Sequence, residues 1–291
     1  MRGDDSRRSL ASLGAIAQRA ILPVVVTLAF VAPASAQTMF PAGSETASSG
    51  NVSAKLSWDA GEAGPENPRL EITRNGAVAF SRTIPKVVCE GCVLHPDTAG
   101  DLETADLDGD GEAEVVVSAY TGGLHCCTLM GIYGLIDTTG GYSELVQDWQ
   151  SSGFELKDLD HDGGMEISSN DIRFEDLFTS HFASFPPPAV FEYQRPGDLA
   201  PELVDATKRF PAVIKKNAKE ALQLLKGIPR GDDDGEGYIS AYVADQLMLG
   251  HGSVGLREFD RQVKRGVLGS AKHAKRFRTR MLKVLHRYGY R

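Results

Sequence analysis

Apolar and polar residues alternate along the first half of the chain, which is the pattern of half-buried β-strands. Residues 52–58 (VSAKLSW) alternate strictly, and residues 70–84 (LEITRNGAVAFSRTI) contain two alternating runs joined by Asn75-Gly76. Asn-Gly between two such runs is a strong local signal for a β-hairpin. Further strand-like runs follow at 114–120, 130–136, 144–149, 154–156 and 190–193.

The pattern changes to a helical period near Pro211. Residues 211–227 (PAVIKKNAKEALQLLKG) begin with proline in the first turn, repeat apolar residues at helical spacing and end in glycine. Three more helices are predicted at 238–249, 253–265 and 270–286. The fold class is therefore α+β: an antiparallel β domain over 51–210 and a small α-helical domain over 211–291. The Ser/Gly/Thr-rich residues 37–50 are predicted to be a linker.

The N-terminal region has the features of a secretory signal peptide. Four arginines precede a short apolar run, Ile21 to Pro33, and Ala34-Ser35-Ala36 forms a small-residue cleavage site. The run is shorter than the ~20 residues that a membrane-spanning helix needs. Residues 1–36 are therefore predicted to be removed, and the protein to be exported to the periplasm or secreted.

Charge divides the chain into an acidic body and a basic tail. Residues 37–260 contain 37 Asp and Glu against 16 Lys and Arg, whereas residues 261–291 contain 11 Lys and Arg and no acid. The last predicted helix would carry an apolar stripe and a basic face. We expect the stripe to pack on the protein, with contact between the basic face and an anionic surface as the alternative. No nucleic-acid motif is present, so nucleic acid is not expected as a partner.

One acidic loop occurs twice, 52 residues apart, with the pattern D-L-D-x-D-G-x-x-E. Acids crowded in this way repel one another, and a divalent cation would offset the repulsion. Calcium takes six to eight oxygen ligands in a flexible geometry, which suits carboxylates at positions 1, 3 and 5, a backbone carbonyl at position 7 and a closing glutamate. The sequence predicts two Ca²⁺ sites with these ligands: Asp106, Asp108, Asp110, Glu112 (carbonyl) and Glu114 in the first loop, and Asp158, Asp160, Asp162, Gly164 (carbonyl) and Glu166 in the second.

These loops are not EF-hands, because position 12 is Val117 in the first and Ser169 in the second, where an EF-hand needs glutamate. They resemble instead the VCBS or FG-GAP repeats of integrin-α-like β-propellers, in which similar loops lie between strands. "YTGGLHCC" (120–127) and "AYVADQLMLG" (241–250) resemble exported bacterial VCBS repeat-containing proteins. The resemblance implies a β domain of about two propeller-blade-like meanders.

Four cysteines occur as Cys89-x-x-Cys92 and the adjacent pair Cys126-Cys127. An even number of cysteines in an exported chain favours disulfides, although the sequence leaves three connectivities open. A zinc site completed by His95 or His125 is the alternative.

No arrangement of catalytic residues identifies itself in the sequence. The first hypothesis is therefore an exported, non-catalytic, monomeric calcium-binding protein that binds a protein or glycan or acts as a structural module. The alternative is a hydrolase with a site between the two domains. A pocket that joins two of the acids Glu103, Asp148 and Asp171 with His125 or His181 would favour the enzyme.

Overall fold

The computed structural model describes residues 40–62, 64–84, 102–120, 127–136, 138–195 and 199–291. Within these residues, strands form three four-stranded antiparallel sheets, and four α-helices follow. In each sheet the strands pair with their neighbours in sequence, so each sheet is a meander. The chain is therefore of the α+β class.

The three sheets follow one another along the chain. The N-terminal sheet comprises β1 (Gly43–Ser49), β2 (Val52–Asp59), β3 (Glu66–Arg74) and β4 (Ala77–Thr83). The middle sheet comprises β5 (Leu102–Ala105), β6 (Glu114–Tyr120), β7 (Thr128–Ile136) and β8 (Gly141–Asp148). The third sheet comprises β9 (Glu155–Lys157), β10 (Glu166–Asn170), β11 (Pro188–Gln194) and β12 (Glu202–Asp205).

The helices are α1 (Pro211–Gly227), α2 (Asp234–Met248), α3 (Gly252–Arg265) and α4 (Ala271–Arg287). Their predicted positions are confirmed to within a few residues, and α1 begins at the proline and ends at the glycine that the sequence singled out. The described residues from 40 to 291 belong to one compact unit. The predicted boundary near residue 210 is therefore a change from strands to helices within that unit. Among the described residues, no helix is long and apolar enough to cross a membrane.

The linker prediction for residues 37–50 is wrong where the structure describes them. Gly43–Ser49 form β1, which pairs with β2 along its whole length, from Gly43 opposite Trp58 to Ser49 opposite Val52. The residues of β1 are mostly small and polar, so they show no alternation of apolar and polar positions. The strand is held instead by backbone hydrogen bonds to β2, in which apolar and polar residues do alternate. The β region consequently holds three four-stranded sheets where about two meanders were predicted.

The hairpin predicted at Asn75-Gly76 is confirmed. Both residues have positive φ, 51° and 78°, and Arg74 pairs with Ala77 across the turn. Positive φ at both central residues matches the right-handed twist of the two strands that the turn joins, β3 and β4.

The middle sheet is buried on both faces, and β6 shows how. Val115 and Val117 point into a core shared with Leu56 and Leu70 of the N-terminal sheet, whereas Val116 points into a core shared with Ile167 and Tyr193 of the third sheet. Successive side chains of a strand point to opposite faces, so a run of valines suits a strand between two layers. The three sheets are therefore stacked face to face.

The C-terminal segment returns to the third sheet through a buried polar contact. Asp171, which follows β10, accepts hydrogen bonds from the Arg173 guanidinium and from the Tyr290 hydroxyl, the latter at 2.7 Å. Asp171 and Tyr290 are both almost inaccessible to solvent. This contact joins the end of the helical region to the β region.

We expect Tyr290→Phe to lower the free energy of unfolding by about 1–3 kcal/mol, because it removes one donor from a buried carboxylate. Urea unfolding of the two proteins measures the change. Tyr288→Phe is the matched control, since the Tyr288 ring packs under Arg173 but its hydroxyl makes no hydrogen bond among the described residues. Equal effects of the two substitutions would contradict this assignment.

A second buried acid predicts a pH dependence. Asp245 of α2 is fully buried, and burial raises its pKa to about 8 although the Asn217 amide donates to Oδ2 at 2.9 Å. Because the folded-state pKa lies above the unfolded value of about 3.9, the stability that this group contributes falls as pH rises from about 4 to about 8 and then levels off.

Between about pH 4 and pH 8, ionisation of Asp245 should lower the free energy of unfolding by up to about 1.4 kcal/mol per pH unit. Asp245→Asn should abolish this decrease, because asparagine does not ionise. The measurement is the difference in unfolding free energy between variant and wild type at pH 5 and at pH 8, and the difference should favour the variant more at pH 8. Asp233→Asn, at an exposed acid just before α2, should leave the pH profile unchanged.

Candidate metal centre

Each acidic loop joins the first two strands of a four-stranded sheet. The first loop connects β5 to β6, and the second connects β9 to β10. The closing glutamate is in both cases the first residue of the second strand, with Glu114 paired opposite Ala105 and Glu166 opposite Lys157. The repeat in sequence is therefore also a repeat in position within the fold.

The closing glutamate fixes each loop from inside. The backbone N–H of Leu107 donates to Oε2 of Glu114 at 2.9 Å, and the N–H of Leu159 donates to Oε2 of Glu166 at 2.7 Å. Glu114 is 1% exposed and Glu166 is 5% exposed. A carboxylate buried to this degree needs counter-charge or further hydrogen bonds to stay ionised.

Backbone donors inside the loops turn the aspartates inward. Asp106 accepts from the N–H groups of Gly109 (2.7 Å) and Gly111 (2.8 Å), and Asp110 accepts from the N–H of Glu112 at 2.7 Å. In the second loop Asp162 accepts from the N–H of Gly164 at 2.9 Å. Side chains that bond backbone groups two to five residues ahead hold a tight turn.

The tight turn needs positive φ at positions 4 and 6 of each loop. Position 6 is glycine in both loops, Gly111 at 88° and Gly163 at 102°. Position 4 is Gly109 at 74° in the first loop but His161 at 65° in the second. A non-glycine residue in this region costs about 1–2 kcal/mol, so the second loop keeps its shape against local strain.

Three carboxylates converge in each loop, and they occupy positions 1, 3 and 9. In each group every residue offers one oxygen, and these oxygens lie within 4.8 Å of one another. The first group is Asp106, Asp108 and Glu114, and the second is Asp158, Asp160 and Glu166. Oδ1 of Asp158 is also buried without a hydrogen-bond partner among the described residues.

The third acid of each loop lies outside these groups. Asp110 accepts a hydrogen bond from the Glu112 N–H and also contacts the guanidinium of Arg195. Asp162 accepts a hydrogen bond from the Gly164 N–H.

The side chain of Glu112 forms two hydrogen bonds with the Arg74 guanidinium, at 2.5 and 2.9 Å, and these lower the pKa of Glu112. Only its carbonyl oxygen therefore remains as the predicted ligand. Gly164 is buried where the two loops meet. A Cβ atom built onto this glycine would lie 3.5 Å from the backbone nitrogen of Gly109, which shows how closely the loops approach each other.

Two arginines that the sequence analysis missed lie against the acids. Arg195, whose side chain is 6% exposed, places Nη2 3.3 Å from Asp110 and 3.9 Å from Asp108. Arg209, whose side chain is 60% exposed, places Nη2 3.6 Å from Asp160. Both lie many residues from the loops, so local spacing gave no signal for either. Protein cations thus offset part of the repulsion that we attributed to a metal ion.

Electrostatics in both loops still favour an added cation. Burial, followed by the charges of Asp108 and Asp110, raises the pKa of Glu114 to about 8 despite the Leu107 N–H and Arg195. Burial, with Asp110 next, raises the pKa of Asp108, and burial also raises that of Glu166. Without more positive charge, these carboxyls hold protons more strongly than ordinary surface acids do.

The two loops share one open cleft and one backbone contact. The N–H of Met165 donates to the carbonyl of Asp106 at 2.9 Å, so the second loop is bonded directly to the first. Asp108, Asp162, Arg195 and Arg209 all line the adjoining cleft of about 740 Å³. The carboxylate and carbonyl oxygens are ligands that suit a hard cation such as Ca²⁺, whereas the guanidinium groups beside them compete with it for the same acids.

The remaining predicted sites fall partly outside the described residues. Cys127 is disulfide-bonded. Cys89, Cys92, Cys126 and both histidines of the zinc alternative lie outside the described residues, so the three connectivities stay open.

The acids considered for a hydrolase only partly come together. Asp148 and Asp171 both line a cleft of about 620 Å³ beside the third sheet. His181 is not among the lining residues and pairs with Glu175, and His125 lies outside the described residues. Both oxygens of Asp171 already accept hydrogen bonds from Arg173, and one also accepts from Tyr290. The Asp171 carboxylate therefore serves to hold the fold together.

Comparison with known proteins gives one distant relative. A probable thylakoid lumen protein from Synechocystis sp. is 28% identical over 171 residues, which cover 55% of this chain and 48% of that protein. The chain thus spans about half the length of the curated relative that it matches. No family model matches the chain. No solved structure matches it. The likeness tests neither the VCBS/FG-GAP resemblance nor the calcium prediction.

We expect Arg195→Gln to lower the free energy of unfolding by about 1–3 kcal/mol in the presence of chelator, because it removes the positive charge beside Asp108 and Asp110 and near the buried Glu114. Arg209→Gln should change it by no more than about 1 kcal/mol, because that pair is exposed. Denaturant unfolding in excess EDTA measures both. A similar loss from the two substitutions would contradict the role assigned to Arg195.

Proposed function

We propose that this chain is an exported, non-catalytic protein that binds two calcium ions, one in each acidic loop, and acts as a binding or structural module. The observation that carries the proposal is the convergence of three carboxylates in each loop, at the same three positions of the repeated motif. Two ions would then hold equivalent hairpins of two stacked sheets.

The balance of charge supports a divalent ion in each loop. Two ionised carboxylates whose oxygens lie within 4.8 Å of one another repel by at least about 3 kcal/mol at the effective dielectric of a protein surface, and each group contains three such pairs when all its acids are ionised. One guanidinium beside each loop supplies a single positive charge. A divalent cation would remove the rest of the repulsion and would supply a partner for Oδ1 of Asp158.

Calcium suits these ligands better than the other common cations do. Every proposed ligand is an oxygen, which disfavours zinc, since structural zinc sites use cysteine and histidine. Magnesium keeps several waters and rarely occupies a site built wholly from protein. Extracellular calcium modules bind with dissociation constants of about 10⁻⁴–10⁻³ M, which is the range that we propose here.

The VCBS/FG-GAP resemblance is proposed as the explanation of the sheets. The middle and third sheets are four-stranded meanders with the acidic loop between their first and second strands. Their stacking face to face supports a description of each sheet as a propeller-like blade. On this proposal the N-terminal sheet and the helices cover the two open faces of the pair, so that no closed ring is needed.

An exported location is supported by two independent observations. The N-terminal residues have the pattern of a signal peptide, and the matched relative is called a thylakoid lumen protein, which is a compartment reached by export. We propose the periplasm or the medium for this chain. Its partner would be a protein or a glycan, bound by a monomer. The hydrolase alternative is not favoured, because Asp171 is fully engaged by Arg173 and Tyr290.

Calcium titration by calorimetry should show two ions per wild-type chain. At 1 mM calcium, a site with a dissociation constant of about 0.1 mM should add about 1.4 kcal/mol to the free energy of unfolding. The variant Asp108→Ala/Asp160→Ala, which removes one ligand side chain from each loop, should lose both the heat of binding and the stabilisation. The control variant Asp176→Asn/Asp233→Asn, at two exposed acids, changes net charge equally and should keep both.

Two results would count against the proposal. One is a wild-type protein that melts at the same temperature in calcium and in EDTA. The other is a loop variant that binds calcium as well as the control variant does.

A further inference from the structure

The last helix presents a row of positively charged side chains to solvent. Its apolar residues Ala274, Phe277, Met281 and Leu285 are buried in the core of the helical region, as the sequence predicted. Other faces of α4 carry exposed cations, which we call the basic stripe: Lys272, Lys275, Arg276, Lys283 and Arg287. Four of them lie at spacings of 4, 11 and 15 residues from Lys272, which places them along one side of a helix.

The basic stripe is not used to hold the fold together. Two other cations of α4 have acidic partners, with Arg278 2.9 Å from Asp260 and Arg280 3.8 Å from Glu236. Among the described residues, no member of the basic stripe forms an ion pair. No acid occurs from residue 261 to residue 291 to neutralise them, although the chain as a whole has a net charge of −8.

The chemistry of the stripe limits what it could bind. The exposed residues of α4 are cations, histidines, Thr279 and Ala271, with no Phe, Tyr or Trp among them. Proteins that bind single-stranded nucleic acid commonly stack bases on the large rings of Phe, Tyr or Trp, and α4 exposes none of these three. No large apolar side chain is exposed on α4 for insertion into a bilayer. A row of long cationic side chains about 22 Å in length instead fits the surface of a layer of anionic headgroups.

We propose that the basic stripe of α4 binds the protein peripherally to anionic phospholipid surfaces, by charge alone and without calcium. An exported protein meets such a surface at the membrane that it crosses. Binding of this kind falls off within a Debye length of the headgroups, so it should be reversed by salt. This role is separate from the acidic loops, which lie in the β region.

The test compares three proteins recovered from the exported fraction, so that the apolar N-terminal run is absent from all of them. The stripe variant is Lys272→Gln/Arg276→Gln/Lys283→Gln. The control variant, Lys55→Gln/Lys215→Gln/Lys219→Gln, removes the same number of exposed positive charges from β2 and α1. Each protein is sedimented in EDTA with vesicles of phosphatidylcholine alone, or of phosphatidylcholine mixed equally with phosphatidylglycerol.

Wild type and the control variant should bind the mixed vesicles and leave pure phosphatidylcholine unbound. The stripe variant should bind the mixed vesicles about 100-fold more weakly, since each lysine or arginine near an anionic surface strengthens binding by about 5-fold. About 1 M salt should release the wild type. All three proteins should melt at the same temperature, because the changed residues are exposed.

Three outcomes would overturn the proposal: wild type that does not bind the mixed vesicles, a stripe variant that binds as wild type does, or a control variant that loses as much as the stripe variant. A wild type that self-associates without binding vesicles, and a stripe variant that stays monomeric, would assign the stripe to a second copy of this chain. Because EDTA is present throughout, failure of this proposal leaves the calcium proposal intact, and the reverse holds as well.

Discussion

The placement of a carboxylate inside each hairpin is the constraint on which the site depends. Glu114 and Glu166 begin a strand, so the pleat of the sheet fixes where their side chains point, and both are almost inaccessible to solvent. The N–H of the residue after the first aspartate satisfies one oxygen of each. The tight turn supplies the backbone N–H that each buried carboxylate accepts, whereas the positive charge near Glu114 comes from Arg195, outside the loop.

The stacking of the sheets makes the two loops one site. Because β6 is buried on both faces, the middle sheet must lie between two others, and the third sheet covers the face that carries Val116. That contact brings the second hairpin against the first, where the Met165 N–H reaches the Asp106 carbonyl. A change in packing between these sheets would therefore alter the relative position of the two groups of acids.

The sequence predicted what depends on neighbours along the chain. The Asn75-Gly76 hairpin, the four helices and the repeated loop all follow from local periodicity or turn chemistry, and the structure has them. It did not predict β1, whose small polar residues become a strand only through pairing with β2. It also missed Arg195 and Arg209, because their contact with the acids depends on how distant segments pack. Charge repulsion was visible in the sequence, but the protein's own cations were not.

Those two arginines make the loops unequal. Arg195 has a buried side chain that contacts two acids of the first loop, so it remains in place whether or not another cation arrives. Arg209 is exposed and contacts one acid of the second loop while also pairing with Glu192. A metal ion in the first loop would share its acids with a fixed guanidinium, whereas one in the second would displace only a weakly held contact. The second loop, with a buried oxygen of Asp158 lacking a partner, therefore has more to gain from a cation.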